Sequence, residues 1–176
     1  MFLKCKHIIT SFAPHSTFND KNYLRYILIR CGISIGADQG KVIKIKDGDT
    51  VVVLLADKTQ QTLRVAEVDC PENGQAFGSN ARQFTANQVF GKTVVFYKIG
   101  KDRYGRSVTG VFYDGDKYLS REIVKAGFGW WYFKASKNTE LQKLQDEAKQ
   151  KKLGLWIDTK AIAPWEFRKN KKNKTK

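Results

Sequence analysis

Three carboxylates and one arginine lie close together in a single stretch of the chain. The carboxylates belong to Asp49, Asp69 and Glu72, and Arg64 precedes the second of them. Carboxylate oxygens are hard ligands of the kind that Ca²⁺ and Mg²⁺ prefer, so these residues predict a metal site. The alternative is that the acidic residues only form turns and that the arginine makes a surface ion pair of little value.

Two predicted strands would bring these side chains to one edge of a sheet. The run Val51–Leu55 has the apolar, β-branched content of a buried strand, and Thr62–Val68 follows it after a polar turn. Pro71 cannot donate to a sheet ladder, so the second strand should end before it. If the strands pair as a hairpin, the start of the first lies beside the end of the second, and the three carboxylates meet at one rim.

The remaining elements complete a small barrel. The sequence predicts further strands over Gly40–Lys46, Thr93–Lys98 and Ser107–Tyr113. It predicts three helices, over Ser79–Phe90 with Ser79 as N-cap, Tyr118–Ala126, and Thr139–Lys152 with Thr139 as N-cap. Five short strands with added helices suit an OB-type barrel, which binds oligonucleotides. The predicted fold class is therefore α+β, mainly β: a five-stranded OB-fold Greek-key barrel with three helices.

An aromatic cluster, FGWWYF, occupies Phe128–Phe133. The rings could pack in the core beneath the barrel or stack on bases at the surface. Alternation along a strand would send Trp131 and Phe133 to one side and Trp130 and Tyr132 to the other. We expect one of these two sets to line a surface groove.

A large excess of positive charge dominates the composition. The chain of 176 residues has a formal net charge of +15 and is 41% hydrophobic, so it can bury a core and is not disordered as a whole. Such an excess indicates a polyanionic partner, with nucleic acid first and an anionic membrane surface or acidic glycan second. Plain solubility is the alternative explanation.

The cysteines and histidines predict neither a disulfide framework nor a zinc site. The cysteines (Cys5, Cys31 and Cys70) are few and scattered, and the histidines (His7 and His15) lie near the N-terminus. Cys70 has no histidine near it in the sequence, which argues against a cysteine nucleophile.

The two ends of the chain differ from its centre. In the N-terminal extension, residues 1–38, the segment Tyr23–Ala37 is short, apolar and ends in small residues, which is typical of a secretory signal. A misassigned start and a short amphipathic segment are alternatives. The segment is too short and too charged to span a bilayer, so we expect no stable membrane insertion. From its likeness to a secretory signal, we expect a protein that is secreted or located in the cell envelope or periplasm. Residues 167–176 are expected to form a basic, disordered tail that attracts phosphates.

Four motifs occur in order along the chain: DGDT at Asp47–Thr50, RVAEVDCPE at Arg64–Glu72, GQAFG at Gly74–Gly78 and DRYGR at Asp102–Arg106. With the LGLW ending at Leu153–Trp156, they make the chain resemble the staphylococcal nuclease family from Gly40 to Trp156. The resemblance implies an OB-fold nuclease domain over residues 39–166. Glu67 departs from the family pattern, which has small or apolar residues there, and we expect it either to face solvent or to alter the charge of the rim.

The resemblance also implies an activity: Ca²⁺-dependent endonucleolytic hydrolysis of DNA and RNA that leaves 3′-phosphates. It implies that Asp49, Asp69 and the carbonyl of Cys70 bind calcium. It implies that Glu72 is the general base and that Arg64 and Arg106 hold the phosphate. It places Arg103, Tyr104, Trp131 and Tyr132 as substrate-binding residues. We expect a monomer that prefers single-stranded or denatured substrate. The alternatives are a non-catalytic nucleic-acid-binding module on the same barrel and a basic structural protein.

Overall fold

The computed structural model describes residues 36–102 and 104–174. All four motifs lie in the compact unit Asp38–Lys176. Several residues named in the sequence-based predictions lie outside the described residues. They are the export segment up to residue 35, Arg103, and the cysteines and histidines of the N-terminal extension (Cys5, His7, His15 and Cys31).

Five strands form a closed barrel, as the sequence predicts. They are β1 (Ala37–Asp47), β2 (Thr50–Leu54), β3 (Gln60–Val65), β5 (Thr93–Lys101) and β6 (Ser107–Tyr113). The sheet order is β3-β2-β1-β5-β6, and a parallel pairing between β6 and β3 closes it. Outside this ring, the described residues form three two-residue strands. Of these, β7 (Lys117–Tyr118) pairs with β6 in antiparallel orientation, while β4 (Val68–Asp69) pairs with β8 (Trp130–Trp131).

Four α-helices, rather than the predicted three, occur in the described residues. They are α1 (Gly78–Val89), α2 (Leu119–Lys125), α3 (Thr139–Gln150) and α4 (Pro164–Lys174), with a 3₁₀ helix at Gly154–Ile157. Ser79 and Thr139 are not the N-caps: Phe77 precedes α1, and the Asn138 side chain caps α3 by accepting a hydrogen bond from the backbone N–H of Glu140. No helix in these described segments is long and apolar enough to cross a membrane.

The core fills the barrel and the space under its helices. Side chains from the strands are fully buried inside the barrel: Val51, Val53, Leu63, Phe96 and Val111. Helices α1 and α2 contribute the apolar residues Ala81, Val89, Leu119 and Ile123 to the same core cluster. Because this core is continuous with the strands that carry the acidic motifs, the ends of those strands have little freedom to move.

Glu67 interrupts the strand that the sequence predicts over Thr62–Val68. It has a positive φ of 63° and separates β3 from β4. Its side chain is half-buried. It accepts hydrogen bonds from the hydroxyl groups of Tyr118 and Ser136, each at 2.8 Å. This carboxylate thus ties the β3–β4 bend to β7 and to the segment before α3.

Helix α4 occupies a region for which the sequence predicts a disordered tail from residue 167 onward. The ring of Trp165 lies 5.8 Å from that of Tyr132 and 5.9 Å from that of Phe133, centroid to centroid. Pro164 is the first residue of the helix, a position that suits its fixed φ and its missing N–H. Composition favours disorder here, but the tertiary contacts of the aromatic rings stabilise the helix.

We predict that Glu67→Ala lowers the free energy of unfolding by about 2 kcal/mol, because two hydroxyl groups lose a charged acceptor. Alanine and glutamate are both L residues, so the strain of the positive φ is the same in both proteins. Urea denaturation measures the change. Glu67→Gln keeps one acceptor oxygen, so its free energy of unfolding should fall by less than that of Glu67→Ala. An alanine variant as stable as the wild type would contradict this role.

Candidate active site

Strand pairing brings the predicted carboxylates to one end of the barrel. Thr50 at the start of β2 pairs with Arg64 on β3, and the backbone N–H of Val65 donates to the carbonyl of Asp49 at 2.8 Å. The short strand β4 then ends at Asp69. The hairpin geometry that the sequence predicts is therefore present.

The guanidinium group of Arg64 lies at the centre of the site. Its Nη1 donates to the carbonyls of Val65 at 2.8 Å and Val68 at 2.9 Å. Its Nη2 lies 2.9 Å from Oδ1 of Asp69 and 3.2 Å from Oδ2 of Asp49. One nitrogen thus bridges the two carboxylates that the family resemblance makes metal ligands, and it does so from a side chain that is only 14% exposed.

Asp49 is buried and fixed by the chain around it. Its Oδ2 accepts from the backbone N–H of Cys70 at 2.7 Å, and its Oδ1 accepts from the hydroxyl of Thr50 at 3.0 Å. The preceding Gly48 packs so tightly that a Cβ there would lie 2.8 Å from the Cβ atoms of both Cys70 and Ala81. Only glycine therefore allows helix α1 and the segment after β4 to approach the acidic turn this closely.

Glu72 lies at the edge of the cluster, with a side chain that is 36% exposed. Its backbone N–H donates to Oε1 of Gln75 at 3.0 Å. Its carboxylate accepts a hydrogen bond from Nη1 of Arg168, on helix α4. The other terminal nitrogen of Arg168, Nη2, donates to Oδ2 of Asp69 at 2.7 Å.

Arg168 is the site residue that sequence reasoning missed. The prediction of a disordered tail gave this residue no position in the fold. The available signal was the sequence PWEFR at 164–168, in which a proline suited to the first turn of a helix precedes an aromatic residue and an arginine three positions apart.

Arg106 immediately precedes β6, the strand on which Val108 is the parallel partner of Arg64. The charge of Arg106 acts on Asp47 and lowers the pKa of that carboxyl, against the larger effect of burial. Its Nε donates to Oδ2 of Asp102 at 2.6 Å. Asp102 also accepts from the backbone N–H groups of Tyr104 and Arg106, each at 2.9 Å, so one carboxylate organises the whole loop.

Burial and charge shift the pKa values of this cluster. Burial raises the pKa of Asp69, and hydrogen bonding to Arg168 and the charge of Arg64 oppose that rise. Burial and the repulsion of Asp49 and Glu72 raise the pKa of Asp47. Crowded acids thus need cationic neighbours to stay ionised.

Two other groups respond to the same surroundings. Burial disfavours the charged form of Arg64, but the negative charges of Asp49 and Asp69 together outweigh this effect and raise the pKa of the guanidinium. Burial raises the pKa of the Cys70 thiol well above its ordinary value. A protonated, buried thiol is a poor nucleophile, which agrees with the prediction that Cys70 is not one.

The aromatic cluster lies directly beside the acidic residues. In the pairing of β4 with β8, Trp130 is opposite Asp69. Trp130 is buried and its ring lies 4.9 Å from that of Trp156, whereas Phe133 is 51% exposed. The ring of Tyr132 lies 5.8 Å from that of Trp165, which also packs on the cluster that contains Trp130.

The predicted substrate-binding residues differ in exposure. Trp131 and Tyr132 are half-buried, and Tyr104 is 68% exposed. The ring of Trp131 lies 6.4 Å from that of Phe133, which agrees with their predicted placement on one side. The two aromatic groups, at β8 and in the 102–106 loop, therefore offer rings for contact with a substrate.

No group of three or more His, Cys, Asp or Glu side chains in the described parts of the chain is arranged to hold a metal ion. Arg64 and Arg168 each donate to an oxygen of Asp69. The donor chemistry nevertheless fits a hard cation. Three carboxylates face two guanidinium groups, which leaves one negative charge uncompensated.

The fold and the site together define an OB-barrel protein with an acidic and arginine-rich centre. Residues 62–158 match the model of the family described as Staphylococcal nuclease homologue. The chain is 39% identical over 150 residues to the micrococcal nuclease of Shigella flexneri, covering 78% of this chain and 84% of that protein. It is 36% identical over 132 residues to an uncharacterized endonuclease of Haemophilus influenzae, covering 75% of this chain and 74% of that protein.

A further relative is the protein ParB of Escherichia coli, which is 34% identical over 146 residues, covering 77% of this chain and 82% of ParB. The chain therefore belongs to the staphylococcal nuclease family. This membership agrees with the sequence-based prediction of an enzyme that hydrolyses phosphodiester bonds.

We predict that Gly48→Ala lowers the free energy of unfolding by about 1–3 kcal/mol, because the added methyl group meets Cys70 and Ala81. Gly100→Ala is the matched control, since a Cβ at Gly100 has no heavy atom within 4 Å. Thermal and urea denaturation of both variants measure the difference. Equal stability of the two variants would show that the acidic turn does not need a glycine.

Proposed function

We propose that this protein is a calcium-dependent nuclease that hydrolyses phosphodiester bonds of DNA and RNA and leaves 3′-phosphates. The main observation in support is that one nitrogen of Arg64 contacts both Asp49 and Asp69 at one end of an OB barrel. Two acids held this close, with a third at Glu72, fit the binding of a cation next to an anionic substrate.

Asp49 and Asp69 would hold the calcium ion, with the carbonyl of Cys70 as a third protein ligand. The bound cation would supply neutralising charge to the phosphate. The carboxylate of Asp49 accepts a hydrogen bond on each oxygen, from the Cys70 amide and from the Thr50 hydroxyl, and these two bonds orient it. This side chain is thus fixed before a cation arrives, which reduces the cost of reorganisation.

Glu72 would act as general base. Its partial exposure gives water access to the carboxylate. It takes a proton from the attacking water as the oxygen of that water bonds to phosphorus. The bond from phosphorus to the 5′-oxygen breaks, and that oxygen takes a proton from solvent water to become a 5′-hydroxyl. The phosphate stays on the 3′-oxygen of the other fragment.

Arg64 and Arg106 would hold the phosphate through their planar, permanently charged donor groups. The Nε of Arg106 donates to Asp102, and this hydrogen bond orients the guanidinium group. The two terminal nitrogens are the donors that would contact the phosphate. A rigid arginine loses less conformational freedom when the substrate binds.

Exposed and half-buried rings, together with positive charge, would bind the rest of the substrate. We assign base stacking to Tyr104, Trp131 and Tyr132 and phosphate binding to Arg103. Stacking needs unpaired bases, so single-stranded or denatured nucleic acid should be preferred. Secretion or location in the cell envelope remains a proposal that rests on residues 23–37, and N-terminal sequencing of exported protein would test it.

We predict that the purified protein digests heat-denatured DNA in Ca²⁺ and that EDTA abolishes the digestion. Glu72→Gln should lower kcat by about 10²–10⁴-fold, because the variant cannot accept a proton. Glu147→Gln, on the exposed surface of α3, is the control with the same chemical change. Tight binding of DNA without cleavage in any divalent cation would instead favour a nucleic-acid-binding module.

We predict that Arg106→Lys lowers kcat/KM by more than about tenfold although it keeps the positive charge, because lysine lacks the two-pronged donor geometry. Arg121→Lys is the control, since Arg121 pairs with Glu140 at the surface. Steady-state kinetics on denatured DNA measure both variants. Near-normal turnover by Arg106→Lys would reject its role in holding the phosphate.

A further inference from the structure

Arg168 joins two acids of the site from a helix beyond the part of the chain that matches the family. The match ends at residue 158, and α4 begins at Pro164. The Nη2 of Arg168 lies 2.7 Å from Oδ2 of Asp69, its Nη1 lies 3.4 Å from Oδ1, and Nη1 also donates to Glu72. A single guanidinium group therefore fixes the distance between the proposed metal ligand and the proposed base.

Helix α4 is attached to the site by contacts that do not involve Arg168. The side-chain amide of Gln75 donates to the carbonyl of Ile162 at 2.6 Å, while its Oε1 accepts from the backbone N–H of Glu72. Trp165 packs on the cluster that contains Trp130 and Leu155. The arginine is thus presented by an anchored helix, so little extra ordering is needed to form its ion pairs.

Arg168 occupies oxygens that a cation would also need. The Oδ2 of Asp69 accepts from Arg168, and Oδ1 accepts from Arg64 at 2.9 Å. Both oxygens of Asp69 already accept from charged donors, so a cation bound there has to share an oxygen with a guanidinium group or displace it. Arg168 also adds a positive charge to the cluster, which opposes a second cation.

We propose that Arg168 is a positioning residue that orients Glu72 and lowers the affinity of Asp69 for the divalent cation. This inference rests on the proposed nuclease function. Loss of the arginine should therefore strengthen the binding of Ca²⁺ and at the same time slow the reaction. A purely structural role predicts the opposite for the cation, since a damaged site binds it more weakly.

The first test is calorimetric titration of the full chain with Ca²⁺ in the absence of substrate. Arg168→Gln should bind Ca²⁺ about tenfold more tightly than the wild type, the effect of one charge-assisted hydrogen bond. Lys169→Gln removes the same charge from the next, exposed position of α4 and should leave the affinity unchanged. Circular dichroism shows whether α4 is retained. Equal or weaker binding by Arg168→Gln, including no binding by either protein, would overturn the inference.

The second test separates the orientation of Glu72 from charge. Arg168→Lys keeps the charge but not the planar fork, so its Ca²⁺ affinity should stay within about threefold of the wild type while kcat on denatured DNA falls by about tenfold or more. The KM should change less than kcat. An unchanged kcat in both variants would overturn the orienting role. Absence of cleavage by the wild type would reject the nuclease proposal. The Ca²⁺ titration would still show whether Arg168 lowers the affinity of the site for the cation.

Discussion

The buried guanidinium group of Arg64 is the interaction on which the site depends. It satisfies two backbone carbonyls at the β3–β4 bend and two carboxylates, those of Asp49 and Asp69. Buried charges are costly unless they are paired, so each partner makes the burial of the others acceptable. Strand β3 lies between β2 and β6, and the pairing that closes the barrel therefore also places this arginine.

The same residues stabilise the fold and form the site. The Asp49 side chain accepts a hydrogen bond from the Cys70 amide, so it joins the β1–β2 turn to the segment after β4. The hydroxyl of Thr85 on α1 donates to the carbonyl of Gly48 and holds the turn from the other side. Carboxylates fixed in this way need little rearrangement when charge develops near them, which is the structural basis of electrostatic preorganisation.

The sequence could predict the parts of the molecule that depend on local pattern. Alternating and β-branched runs located the barrel strands, and the acidic turn and Pro71 located the shared rim. It could not predict what depends on tertiary contact. Glu67 finds two hydroxyl donors only because α2 and α3 bring their preceding segments to it, and α4 forms because Trp165 meets rings from a distant part of the chain.

A negatively charged centre inside a strongly basic protein constrains how substrate is bound. The formal charge of +15 attracts polyanions to the molecule as a whole. At the site itself, however, three carboxylates outnumber the guanidinium groups of Arg64 and Arg168, which leaves a negative centre that repels a phosphodiester. A divalent cation reverses that sign. Under the proposed function the cation is therefore needed for productive placement of the phosphate as well as for the reaction, while the basic surface alone accounts for general attraction to nucleic acid.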